Sequence, residues 1–174
     1  ATNALRTLGT RWAAAVFALD VAKGMLAVAL ARMLFVGGPG DADDWVAAGA
    51  GLAAVVGHNW SVFIGFAGGR GVATSAGGLL VLTPLTLAIV GPLAAGATWR
   101  TRYVSLGSII AGVSAPIATA ALAAAGMAPL AAVAYSLAVG ALVVISHADN
   151  MSRLRAGTER RLGDKEVVTH GRGG

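Results

Sequence analysis

The chain contains no cysteine, so disulfide staples, thiolate nucleophiles and Cys-ligated metals are all excluded. Charge is scarce as well. Asp, Glu, Lys and Arg make up 12% of the 174 residues, against about 25% in an ordinary soluble domain. No HExxH pair, carboxylate metal box or Gly-x-Ser-x-Gly elbow occurs, which leaves metal-dependent hydrolysis and acyl-serine chemistry without a motif. Acidic residues are the rarer sign, eight against 13 Lys and Arg. A net charge of +5 and a pI near 10.8 would fit a nucleic-acid-binding surface on a polar chain. On one that is 56% hydrophobic, with a mean hydropathy of +0.74, they point to a membrane first. Disorder and coiled coil fit these numbers poorly.

What the chain has in abundance is small residues, 39 Ala and 25 Gly, which let helix backbones approach closely in lipid. A helix needs about 20 apolar residues to cross a bilayer. The apolar elements run over 12–36, 45–57 (reaching 66 if His58 and Asn59 are tolerated), 72–83, 85–99, 103–125 and 130–146. They are separated by Gly37-Gly38-Pro39-Gly40, Gly68-Gly69-Arg70-Gly71, Pro84, Arg100-Thr101-Arg102 and Gly126-Met127-Ala128-Pro129. The 72–83 element is too short to cross unaided, and Pro116 is a potential kink. The expected fold is an all-α, polytopic membrane helix bundle of six hydrophobic elements, some of them short half-helices.

Orientation follows from Lys and Arg. With the segment before Trp12 inside and the elements alternating, 11 of the 13 basic residues fall on the inner side. Lys23 then lies within a span and Arg32 near an outer end. Asp41, Asp43 and Asp44 fall outside. Trp12, Trp45, Trp60 and Trp99 all fall at element ends, where indoles prefer to sit. The first residue is Ala, with no signal peptide in view, so the chain reads as a fragment, a processed form or an incomplete gene model.

Polar residues in or beside apolar spans mark candidate sites. Asp20 and Lys23, three apart on one helical face, neutralise each other on the plainest reading. Gly57-His58-Asn59 precedes Gly68-Gly69-Arg70-Gly71-Val72-Ala73-Thr74. A glycine turn opening a helix presents backbone N–H groups to an anion, and Arg70 adds a guanidinium suited to phosphate. The Walker spacing is missing, and a re-entrant turn between half-helices is the bland alternative. His147, Asn150 and Arg153 recur every three residues and share a stripe as the last helix leaves the membrane, with Glu159 beyond. There the bland alternative is a headgroup-binding end. Arg102, Ser105 and Ser108 form a smaller group, read as an interfacial anchor. All these clusters fall on the inner face, which suits an anionic substrate that is part water-soluble and part acyl chain.

The ordered set Ala1-Thr2-Asn3-x-x-Arg6-x-x-Gly9, Asp20-x-x-Lys23-Gly24, Gly57-His58, Gly68-Gly69-Arg70-Gly71-Val72-Ala73-Thr74, Thr101-Arg102-Tyr103-Val104-Ser105 and His147-x-x-Asn150-x-x-Arg153-Leu154-x-x-Gly157-Thr158-Glu159 resembles the bacterial acyl-phosphate:glycerol-3-phosphate acyltransferases of the PlsY type. The match runs from residue 1 to about 163. The resemblance implies a seven-helix enzyme of the bacterial cytoplasmic (inner) membrane, with motif loops and carboxyl terminus at the cytoplasmic face. It implies acyl transfer from acyl phosphate to glycerol 3-phosphate, giving lysophosphatidic acid, with no cofactor, metal or nucleic acid. The domain expected is a membrane-embedded acyltransferase over 1–163, with a polar cytoplasmic tail over 164–174. The family pattern places a further helix and a Gly-Ser-Gly-Asn-x-Gly run ahead of Ala1, so the chain reads as lacking that first helix. Arg70 stands where Lys is usual, and Ser61 where Pro is usual.

Acyl phosphate is already activated, so the residues' main task is to position two phosphorylated substrates and offset their charge. The candidate catalytic residues are His58, His147 and Asn150, the histidines being near-neutral bases. The substrate's own phosphate is an alternative base. The candidate substrate- and phosphate-binding residues are Asn3, Arg6, Gly69, Arg70, Gly71, Arg102, Ser105, Arg153 and Glu159, with Glu159 orienting a basic neighbour. Two other functions fit parts of the pattern: a small-anion or phospholipid transporter, and a non-catalytic lipid-binding membrane protein. The lack of a repeat between the two halves of the sequence weighs against the first.

Overall fold

The computed structural model describes residues 2–37 and 41–164, without the side chains of Thr2, Asn3 and Arg6. The helices are α1 (Thr2–Thr7), α2 (Thr10–Leu34), α3 (Ala42–Asn59), α4 (Val72–Leu82), α5 (Pro84–Thr101), α6 (Val104–Ala124), α7 (Leu130–Ser146) and α8 (Ala148–Arg155), with a 3-10 turn at Val62–Ile64. No strand occurs among the described residues. Each of the six apolar elements expected from the sequence is a helix, its ends within a few residues of the expected breakers. The all-helical architecture is a continuous answer to lipid, where every backbone N–H and C=O must be satisfied within its own segment.

Thr10–Leu34, Ala42–Ile64 and Val104–Ala124 are each long and apolar enough to cross a membrane. The α4 helix is not: its eleven residues rise only about 16 Å. Pro84 separates it from α5, where it occupies the first helical turn and its missing N–H costs nothing. Pro116 lies inside α6 without ending it. It leaves the Gly112 carbonyl without its helical donor, and that carbonyl packs directly on Gly140 of α7.

Small residues set the packing. A Cβ on Gly24 of α2 would fall 2.0 Å from the Thr74 carbonyl oxygen of α4, and one on Gly77 would fall 2.1 Å from the Val21 carbonyl oxygen. The α2–α4 contact is accordingly the most extensive in the bundle. Gly51 and Gly78 make room for Tyr135, whose buried hydroxyl donates to the Ser75 carbonyl oxygen at 3.2 Å. Val28, Val55, Leu79, Val90, Ala131 and Val139 complete this core.

At one end of the bundle, Arg32 donates to Asp44 at 2.6 Å and to the Val81 carbonyl oxygen at 2.8 Å, tying α2, α3 and α4 together. The other end gathers the termini of α3 and α7, the starts of α4 and α6, and α8. One expectation changes there. The last helix does not run straight out of the bundle; α7 ends at Ser146, and α8 leaves at 54°. The physical cause is composition, because α8 carries Asp149, Asn150, Ser152, Arg153 and Arg155 and cannot continue the apolar path of α7. His147 therefore sits at the bend, where its carbonyl accepts from the Met151 N–H and opens the helix that carries Asn150 and Arg153.

Candidate functional site

The glycine turn comes first. Gly71 is the N-cap of α4, with φ +73, a left-handed conformation that glycine adopts without a Cβ penalty. No side chain caps α4, so its first-turn N–H groups and dipole are open to an anion. Close contact with the end of α3 fixes the turn: the Gly69 N–H donates to the His58 carbonyl oxygen at 3.0 Å. A Cβ on Gly68 would lie 2.1 Å from that same oxygen. Asn59, buried next to Gly71, donates to Ser146 Oγ at 3.4 Å, which links the end of α3 to the end of α7.

The His58 ring is held from α2. Lys23 Nζ lies 2.5 Å from Asp20 Oδ1 and 2.5 Å from His58 Nδ1. Asp20 and Lys23 do pair, as their spacing predicts, but as part of a three-residue group that the sequence does not reveal. The other histidine is arranged in the opposite sense. His147 Nδ1 donates to the Val143 carbonyl oxygen at 2.8 Å, which leaves Nε2 as the ring's acceptor. Arg70 and Glu159 both act electrostatically on His147, which brings the glycine turn and the carboxyl-terminal motif to one locality.

Glu159 organises that motif. Its Oε1 accepts from Ser105 Oγ at 2.8 Å and from Asn150 Nδ2 at 2.6 Å, and its Oε2 accepts from Arg153 Nε at 2.7 Å. The Glu159 side chain is only 6% exposed. Burial opposes its charge, but the hydrogen bonds from Asn150, Ser105 and Arg153 outweigh that and hold its carboxyl below the ordinary range.

Thus Ser105, Asn150, Arg153 and Glu159 meet directly, with His147 and Arg70 beside them, while Gly69 and Gly71 lie on His58 and Asn59. Arg102 is directed elsewhere. Its guanidinium donates through Nε to the Leu162 carbonyl oxygen at 3.0 Å, and Arg161 stacks over Tyr103 with 5.4 Å to the ring centroid. Asn3 and Arg6 belong to α1, but their side chains lie outside the described residues, as do residues 165–174 of the expected tail. Sequence reasoning missed a set of buried side-chain atoms without a hydrogen-bond partner among the described residues: Asn59 Oδ1, Asn150 Oδ1, Thr74 Oγ1 and Ser75 Oγ. The signal available for them was their position within or next to the motifs. Behind the polar end, an apolar crevice between α4, α5, α6 and α7 is lined by Val72, Leu79, Val90, Ala111, Val139 and Val143. Val72 follows the glycine turn, and the Val143 carbonyl accepts from His147, so two of the lining residues are neighbours of the polar cluster. Among the described residues, no group of three or more His, Cys, Asp and Glu could hold a metal ion.

A profile of the family described as glycerol-3-phosphate acyltransferase matches residues 1–157. The chain is 41% identical over 169 residues to a glycerol-3-phosphate acyltransferase of Halalkalibacterium halodurans, covering 97% of this chain and 80% of that protein. It is 44% identical over 165 residues to one from Thermus thermophilus, covering 95% and 78% respectively. The fold is similar to the crystal structure of PlsY, an integral membrane glycerol 3-phosphate acyltransferase, in its glycerol 3-phosphate form. The TM-score is 0.82 at 37% identity, over 93% of this chain and 76% of that one. A lysophosphatidic acid form of the same protein gives a TM-score of 0.81.

Proposed function

The chain belongs to the glycerol-3-phosphate acyltransferase family, a multi-pass membrane protein and an acyltransferase, and from that premise we propose that its acyl donor is acyl phosphate. The acceptor is glycerol 3-phosphate and the product is lysophosphatidic acid, in the first step of phospholipid synthesis. The observation that supports this reading is that two anion-compatible structures share one end of the bundle, with an apolar crevice behind them. One is the uncapped start of α4 with Arg70; the other is the Glu159 network with Arg153 and Asn150. A substrate pair with two phosphoryl groups and one acyl chain matches that combination of two polar sites and one apolar slot.

In the reaction, a glycerol 3-phosphate hydroxyl oxygen attacks the acyl carbonyl carbon, and the bond from that carbon to the phosphate oxygen breaks. Phosphate leaves with its electron pair, and the hydroxyl proton passes to a base. Gly69, Arg70 and Gly71 bind one phosphoryl group. Arg153 and Asn150, fixed by Glu159 and joined by Arg6 and Asn3, bind the other, while Arg102 stays on the Leu162 carbonyl. His147 presents Nε2 to the proton, in competition with the substrate's own phosphate. Residues 1–163 belong to a membrane-embedded acyltransferase domain of the bacterial cytoplasmic membrane. The excess of Lys and Arg at the polar end supports a cytoplasmic orientation for the site and for a tail over 164–174.

The test is product formation by purified protein in detergent or bilayer. Lysophosphatidic acid from acyl phosphate and glycerol 3-phosphate is the expected outcome. Transfer from acyl-CoA alone, or no transfer from acyl phosphate, would overturn the choice of donor.

A further inference from the structure

We infer that Asp20, Lys23 and His58 form a positioning set that holds the 68–71 glycine turn in its anion-binding shape, and that His58 acts through the turn rather than on a substrate proton. The inference rests on the proposed phosphate-binding role of that turn.

A charged pair inside an apolar helix needs only mutual neutralisation to be tolerated, and Asp20 with Lys23 would suffice. The geometry goes further. Lys23 Nζ, a donor with no acceptor capacity, is 2.5 Å from His58 Nδ1. Nδ1 must therefore carry the lone pair, and the ring proton sits on Nε2. Asp20 Oδ1 lies 3.5 Å from the same Nδ1 and anchors the ammonium; Asp20 itself is only 8% exposed. With Nδ1 occupied and Nε2 protonated, the neutral ring has no free lone pair for a substrate proton.

The opposite edge of the ring forms the floor of the turn. A Cβ on Gly69 would lie 1.9 Å from His58 Nε2, so the Gly69 backbone rests directly on the imidazole, and its N–H is held by the His58 carbonyl. One residue beyond Lys23, Gly24 meets the Thr74 carbonyl in the first turn of α4. Helix α2 thereby holds the loop from both sides: through His58 before Arg70, and through Gly24 after it. Removing the ammonium takes away the partner that fixes the ring's tautomer and position, leaving Nδ1 to re-pair with Asp20. The turn resting on the ring then relaxes, which weakens phosphate binding without removing a group that reacts.

The experiment is steady-state kinetics on the full chain in detergent, varying each phosphorylated substrate, for Lys23→Met, His58→Ala, His58→Asn and the Lys23→Met/His58→Ala double variant. Size-exclusion profile and melting temperature report folding. The expected result is a rise of about tenfold or more in KM for one phosphorylated substrate, with kcat held within about threefold. His58→Asn, whose Oδ1 can replace Nδ1 as acceptor, should recover part of the loss seen with His58→Ala. The double variant should be no worse than His58→Ala, as expected for residues acting as a unit. If Lys23→Met does not fold, Gly69→Ala tests the other end of the same contact, and His58→Ala should partly suppress its KM defect. A kcat fall of 10²-fold or more at unchanged KM, the size general-base loss takes, would overturn the inference, as would unmoved KM values in folded variants. Absence of turnover in the wild type would instead count against the proposed reaction.

Discussion

Ser105, at the start of α6, donates to the same carboxylate that holds Arg153 of α8: Oγ to Glu159 Oε1 at 2.8 Å, across 54 positions of sequence. This one acceptor fixes α6, α8 and the segment after α8 in a common frame. Two arginines flank that frame in different ways, Arg153 bound by the carboxylate and Arg102 by the Leu162 carbonyl.

Replacing Glu159 by Gln should expose the value of its charge through pH. Its carboxyl is held below the ordinary glutamate pKa of about 4.3. The resulting stabilisation is fully present above that ordinary value and is lost as pH falls through the lower, folded-state pKa. The melting-temperature difference between wild type and Glu159→Gln should therefore be widest near neutral pH and close in acid. A difference that does not depend on pH would count against this. Near neutrality, kcat/KM should fall about tenfold, because Arg153 Nε then faces an amide that offers a donor in place of a carboxylate oxygen.

His147→Ala separates the two proton acceptors. If Nε2 takes the proton, kcat falls by about 10²–10⁴ with KM little changed. A loss under tenfold assigns the proton to the substrate's phosphate. His147→Gln, which keeps polarity but not basicity, should follow His147→Ala in the first case.

Arg70 should tolerate Lys better than any neutral residue. Lys supplies the charge as a point rather than a fork, so Arg70→Lys should stay within about tenfold of wild type in kcat/KM. Arg70→Met should lose about 10²-fold or more, mainly through KM for one phosphorylated substrate. Equal losses in the two variants would mean that planar, bidentate contact matters more than charge.

Gly24→Ala should be costly despite its chemical modesty. The added methyl would meet the Thr74 carbonyl oxygen at 2.0 Å, backbone that cannot swing away, so α2 and α4 must separate. Overpacking of this kind costs about 1–3 kcal/mol, read as a lowered melting temperature in detergent. Gly49→Ala, where a Cβ meets nothing within 4 Å, is the matched control and should leave stability near wild type.

The sequence by itself determined the helical elements and the end of the bundle that carries charge. In lipid each segment must satisfy its own backbone, so a span shows up as an unbroken apolar run, and Gly and Pro breakers mark its ends. The motif residues were legible for a similar reason: Gly68-Gly69-Arg70-Gly71 and His147-x-x-Asn150-x-x-Arg153 are polar or conformationally special where lipid would tolerate neither without cause. Partner choice was not legible. Nothing in local spacing says that Lys23 reaches His58, 35 positions away, or that Glu159 accepts from Ser105. Nor does it say that Arg102 is engaged by Leu162, or that α8 bends away at His147. Those relations depend on how far each helix slides along its neighbour, and that register is set by the tertiary contacts of small residues such as Gly24, Gly77 and Gly140, where backbone meets backbone.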